Sequence, residues 1–139
     1  MKKQIFIGVA ISVLLLVAGC SSPGMVEVDN GTYENITVEM LNKMMNERSE
    51  SFLLINTHIP FEGDIPDTDL SIPSNEILDN LDKLPEDKDA EIVLYCRTDP
   101  MSVQAAEYLV AEGYTNVKNL VGGFDAWEDA GYPLEGVRE

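Results

Sequence analysis

The sequence predicts an α/β domain built on a mostly parallel sheet. Three observations carry this. Strand-like and helix-like segments alternate along the chain, which is the pattern of strand–helix–strand units. The run Ile92-Val93-Leu94-Tyr95 is apolar without alternation, as a central strand covered on both faces must be. Each helical candidate is bounded by stop and start chemistry, with Thr37 before one, Pro85 after another and Gly113 after a third. In such a sheet the functional loops gather at the carboxyl ends of the strands.

Taken in order, residues 20–31 hold Ser21-Ser22-Pro23-Gly24 and Asp29-Asn30-Gly31, turn and linker chemistry that reads as a tether. Residues 33–36 form a short strand, after which Thr37 caps a helix burying Val38, Met40, Leu41, Met44 and Met45. Residues 51–56 are a second strand, and 57–69, with Pro60, Gly63 and Pro66, an irregular loop. A brief strand over 70–72 leads through Pro73-Ser74 into a helix with Ile77, Leu78, Leu81 and Leu84, which Pro85 stops. The central strand follows. Beyond it Val103, Ala106, Leu109 and Val110 recur at helical spacing, with Ser102 or Asp99 as the N-cap and Gly113 as the stop. Residues 116–121 are the last strand, and Gly122-Gly123 opens a helix carrying Phe124, Trp127 and Ala130. Asn30-Gly31-Thr32 and Asn35-Ile36-Thr37 both fit an N-glycosylation triplet, a pattern that also arises by chance.

The amino end is of another kind. Lys2-Lys3, an apolar run over residues 5–17 and Ala18-Gly19 before Cys20 make a secretory leader too short for a comfortable membrane span. The expected division is residues 1–19 as signal peptide, 20–31 as tether and 32–139 as the folded domain. Without the leader's Lys2 and Lys3, seven basic side chains face 25 acidic ones, a net charge of −18. That balance disfavours nucleic acid and anionic lipid headgroups. One histidine, His58, and two cysteines exclude a Cys/His zinc site, and no metal or cofactor is expected.

Cys96 stands between the end of the central strand and the start of a helix. Unpaired backbone N–H groups and the positive pole of the helix would stabilise a thiolate there. The competing reading is a small buried apolar residue.

Two family resemblances add to this. Leu16-Val17-Ala18-Gly19-Cys20 resembles a lipoprotein lipobox, which implies lipidation of Cys20, an extracytoplasmic location and a hold on the membrane through acyl chains. It also leaves Cys96 as an unpaired thiol. Residues 36–135 resemble a single rhodanese-like domain, through Leu84-Pro85, Glu91 to Arg97, Ala105-Ala106, Leu109, Gly113-Tyr114, Asn119 to Trp127 and Gly131-Tyr132-Pro133-Leu134. That resemblance implies a roughly five-stranded parallel sheet flanked by helices, and a Cys96 that accepts sulfane sulfur and passes it to a thiol acceptor. Donor and acceptor are small or protein-borne. Arg97, Thr98, Asp99, Pro100 and Met101 become the loop whose amides cradle the outer sulfur, with Ser102 closing it.

The sequence also departs from the family. Asp99 replaces a glycine, and Met101 an arginine or small polar residue. Asp99 would disfavour the thiolate and repel thiosulfate unless Arg97 turned inward, and Pro100 removes one N–H. Weak thiosulfate activity is therefore expected. Asn56-Thr57-His58 replaces an Asp-x-Arg, and a hydrogen bond in place of an ion pair is the favoured consequence, with His58 as a base for Cys96 the alternative. A silent module that binds a protein partner at the membrane is the competing function. A cysteine-dependent phosphatase would need arginine where Ser102 stands, and a redox exchanger lacks its second cysteine.

Overall fold

The computed structural model describes residues 23–47 and 51–137. The leader, Cys20 and the lipobox lie outside the described residues. The strands are β1 (Gly24–Val28), β2 (Gly31–Ile36), β3 (Leu53–Asn56), β4 (Leu70–Ser71), β5 (Ile92–Tyr95) and β6 (Val117–Leu120). They form one sheet in the order β1-β2-β6-β5-β3-β4. Every pairing is parallel except β1 with β2. The expected five parallel strands are present, with one antiparallel strand added at the edge.

That addition corrects the tether. Gly24–Val28 is part of the sheet, with Val26 and Val28 half-buried against the core while Met25 and Glu27 are exposed. The alternation of period two was present in the sequence, but only two residues on the buried side express it.

The helices are α1 (Val38–Glu47), α2 (Pro100–Ala111) and α3 (Gly123–Asp129), with a 3-10 helix at Ser74–Lys83. The central strand sends Ile92 and Leu94 into a core beneath α2 and the 3-10 helix, and Val93 and Tyr95 into a second core with Leu41, Phe124 and Trp127. All four side chains are buried, which is why the run carries no alternation.

Local chemistry sets the helix ends. Thr37 Oγ1 accepts the Met40 N–H at 3.3 Å, the expected N-cap. Met40 itself is 39% exposed, a correction to the buried face assigned to α1, whereas Met44 and Met45 do pack on the core. At the end of α2, Gly113 (φ 92°) lets Tyr114 N–H reach the Leu109 carbonyl at 3.1 Å. The segment 74–83 is 3-10 rather than α. Asn80 leaves helical geometry, and its Nδ2 donates to the Glu76 carbonyl at 2.8 Å, competing with the backbone ladder. Leu78 is accordingly exposed.

Candidate active site

Cys96 directly follows β5 and is 2% exposed. Its position is held from behind by the turn into α3. The N–H groups of Phe124 and Asp125 donate to the carbonyls of Cys96 and Arg97 at 2.9 and 3.0 Å. This close approach requires glycine, since a Cβ on Gly123 (φ 56°) would lie 2.2 Å from the Cys96 carbonyl oxygen. The neighbouring Gly122 adopts φ 78°.

In front, α2 starts at Pro100, whose missing N–H costs nothing at a helix's first turn. Asp99 is its N-cap residue but makes no side-chain cap bond. Ser102 is fully buried, and its hydroxyl donates to Cys96 Sγ at 3.4 Å or to the Asp99 carbonyl at 3.0 Å, one proton serving one acceptor at a time. Among the described residues, no carbonyl or side chain accepts the N–H groups of Arg97, Thr98, Asp99 or Met101. The loop that follows Cys96 thus keeps four N–H groups without a protein acceptor, and donors of this kind suit an anion.

Two side chains lie elsewhere than the sequence suggested. Asp99 turns to β6 and the Gly122 turn, where Oδ1 accepts from Gly122 N at 3.1 Å and Asn119 Nδ2 at 3.4 Å. Its charge also reaches Tyr33, whose phenol is pushed up by burial first, then by Glu107 and Asp99. Arg97 does not turn inward. It is exposed and bridges Glu62 and Asp125, 3.4 Å from each, so the condition under which it would offset Asp99 is not met.

His58 pairs through Nε2 with Glu62 and stands edge-on to Phe124, ring centroids 5.3 Å apart. Its hydrogen bond goes to Glu62, which supports the scaffold reading over that of a base for Cys96. Asn56 makes hydrogen bonds, as expected. Its Nδ2 donates to the Gly63 carbonyl and Asp64 Oδ1, both at 2.9 Å, and its Oδ1 accepts the His58 N–H at 3.0 Å. Below it, Tyr95 OH donates to Asp64 at 3.2 Å and accepts from Ile65 N at 3.0 Å, and burial pushes its phenol strongly up.

Sequence reasoning missed Asn119, Asn35, Glu62 and Asp125. Asn35 and Asn119 are buried neighbours on adjacent strands, with Asn119 Nδ2 donating to Asn35 Oδ1 at 2.9 Å. This burial takes Asn35 out of use as a glycosylation acceptor in the folded domain. A polar amide at an inward position of an apolar strand was the available signal. Glu62 carried none, because its partner Arg97 is 35 residues away. No group of acidic, histidine or cysteine side chains among the described residues is placed to hold a metal ion.

The fold has known counterparts. A sequence model of the rhodanese-like domain matches residues 43–130. The chain is 39% identical over 89 residues to a sulfurtransferase of Allochromatium vinosum, covering 62% of this chain and 80% of that protein. It is 37% identical over 49 residues to the thiosulfate sulfurtransferase GlpE of Actinobacillus succinogenes, covering 35% of this chain and 44% of that one. Among solved structures, a rhodanese-like domain protein from Staphylococcus aureus is 28% identical with a TM-score of 0.61, over 73% of this chain and 98% of its own.

Proposed function

The chain belongs to the rhodanese-like family, and on that premise we propose that Cys96 is a sulfur carrier, in a domain anchored outside the cytoplasm by lipid on Cys20. The observation that carries this reading is the Cys96 loop: a buried Sγ with the Ser102 hydroxyl 3.4 Å away and four loop N–H groups without an acceptor. The Cys96 thiolate attacks the outer sulfur of a persulfide, R–S–S–H. A bond from Sγ to that sulfur forms, the donor S–S bond breaks, and its electron pair leaves on R–S⁻, which takes up the proton of the transferred sulfur. An acceptor thiolate then attacks the outer sulfur and Cys96 departs as thiolate. No oxidant or reductant is consumed.

Donor preference follows from charge. Met101 brings no cation to the loop and Pro100 no N–H, while Asp99, although turned toward Gly122 and Asn119, adds a negative charge beside it, so a dianion such as thiosulfate is a poorer donor than a neutral persulfide. The competing reading, a silent docking module, draws on the same three residues, whereas the retained Cys96 and its donors favour transfer. Two assays separate them. Sulfur transfer from an organic persulfide to a thiol should fall to background in Cys96→Ser, and an undiminished rate would refute the assignment. The full chain should partition into detergent, and Cys20→Ala into water; identical partitioning would refute the anchor.

A further inference from the structure

Strand register shows where the chain enters the domain. Gly24 of β1 lies opposite Asn35 of β2, Asn35 beside Asn119 of β6, and Asn119 beside Leu94 of β5. Gly24 is therefore level with a residue two before Cys96, at the carboxyl end of the parallel strands. Pro23 continues past that end. It lines a cavity of about 260 Å³ with Thr37, Val38, Ala126 and Ala130, where β2, α1 and α3 meet. α3 is the helix whose Phe124 N–H holds the Cys96 carbonyl. Three strand spacings of about 4.8 Å put β1 about 14 Å from β5.

Cys20 precedes Gly24 by four residues, which extend about 14 Å at most. A domain of about 110 residues is about 34 Å across, from a radius of gyration of about 13 Å. So short a tether, attached at one pole, keeps the opposite pole off the surface that holds it. We infer that the Cys96 face is turned toward the membrane, a deduction that rests on lipidation of Cys20 as proposed above. Sulfur is then exchanged from the membrane side. The chemical class that suits both this orientation and the acidic rim of Glu62, Asp99 and Asp125 is a neutral persulfide that partitions into the bilayer. The net charge of −18 without the leader makes a zwitterionic surface the fitting one.

The test uses the full lipidated chain in phosphatidylcholine vesicles bearing a headgroup energy acceptor. A donor dye is placed by Thr98→Cys or by Glu86→Cys, each in a Cys96→Ser background. Both positions are exposed, the first in the Cys96 loop and the second beside Pro85, whose carbonyl accepts from Tyr114 beyond the far end of α2. Energy transfer should be several-fold stronger from position 98. Equal or reversed transfer in vesicle-bound protein would overturn the orientation and leave the anchor standing. Protein that stays in the aqueous phase, with no transfer from either position, would overturn the anchor and the orientation together. Neither readout depends on sulfur loading, so failure of the sulfur-carrier assignment shows separately in the Cys96→Ser transfer assay.

Discussion

Cys96 is held between two turns that obey different rules. Behind it, Gly122-Gly123 is dictated by sterics, since backbone meets backbone and a side chain on Gly123 has nowhere to go. In front of it, Arg97, Thr98, Asp99 and Met101 leave their N–H groups without a protein acceptor among the described residues, and two side chains are spent on remote partners: Asp99 on Gly122 and Asn119, Arg97 on Glu62 and Asp125. The rear turn fixes where the sulfur sits, and on the proposed function the front loop sets which sulfur donor it meets. The family pattern survives in the first and is rewritten in the second.

The most damaging way to break this division is Gly123→Ala. With φ at 56° and the Cβ 2.2 Å from the Cys96 carbonyl oxygen and 2.6 Å from that of Arg97, backbone has to move. A loss of about 3 kcal/mol or more is expected in urea unfolding. A change under about 0.5 kcal/mol, the range of inconsequential surface substitutions, would show that the rear turn is not obligatory.

The front loop should respond in activity instead. Asp99→Gly with Met101→Arg removes the carboxylate and restores a cation, so thiosulfate turnover should rise on the order of tenfold, about 1.4 kcal/mol in the barrier. Persulfide turnover should move far less. An unchanged thiosulfate rate would refute the electrostatic account of donor choice.

The smallest effect concerns the scaffold under both turns. Burial raises the Tyr95 phenol in the folded state, so the folded protein holds that proton more tightly than the unfolded chain does. The associated stability is complete below the ordinary tyrosine value of about 10 and is lost as pH rises above it. Tyr33, shifted in the same direction, adds to the decline. Unfolding free energy should therefore fall above about pH 10, and less steeply in Tyr95→Phe. Equal slopes in the two proteins would remove Tyr95 from the account.

What was legible in the sequence followed from burial. A four-residue strand covered on both faces cannot alternate, so Ile92 to Tyr95 announced the centre of the sheet, and Cys96 after it marked the candidate site. Gly113 and Pro85 marked helix ends because φ and a missing N–H are local properties. β1 was hidden because an edge strand displays only Val26 and Val28 on its buried side, among turn residues. Asp99 and Arg97 have partners that were hidden for another reason. Their directions are chosen by Gly122, Asn119, Glu62 and Asp125, which lie 20 to 35 residues away in sequence. Local spacing says nothing about such partners.

The central claim is that Cys96 takes up one sulfane sulfur. Intact-mass analysis of the chain from Ser21, after exposure to polysulfide and separately to thiosulfate, tests it most directly. The account predicts a gain of one sulfur atom with polysulfide, little with thiosulfate, reversal by a thiol reductant and no gain in Cys96→Ser. A folded protein that takes up no sulfur from either donor, or a Cys96→Ser variant that gains it all the same, would contradict the account.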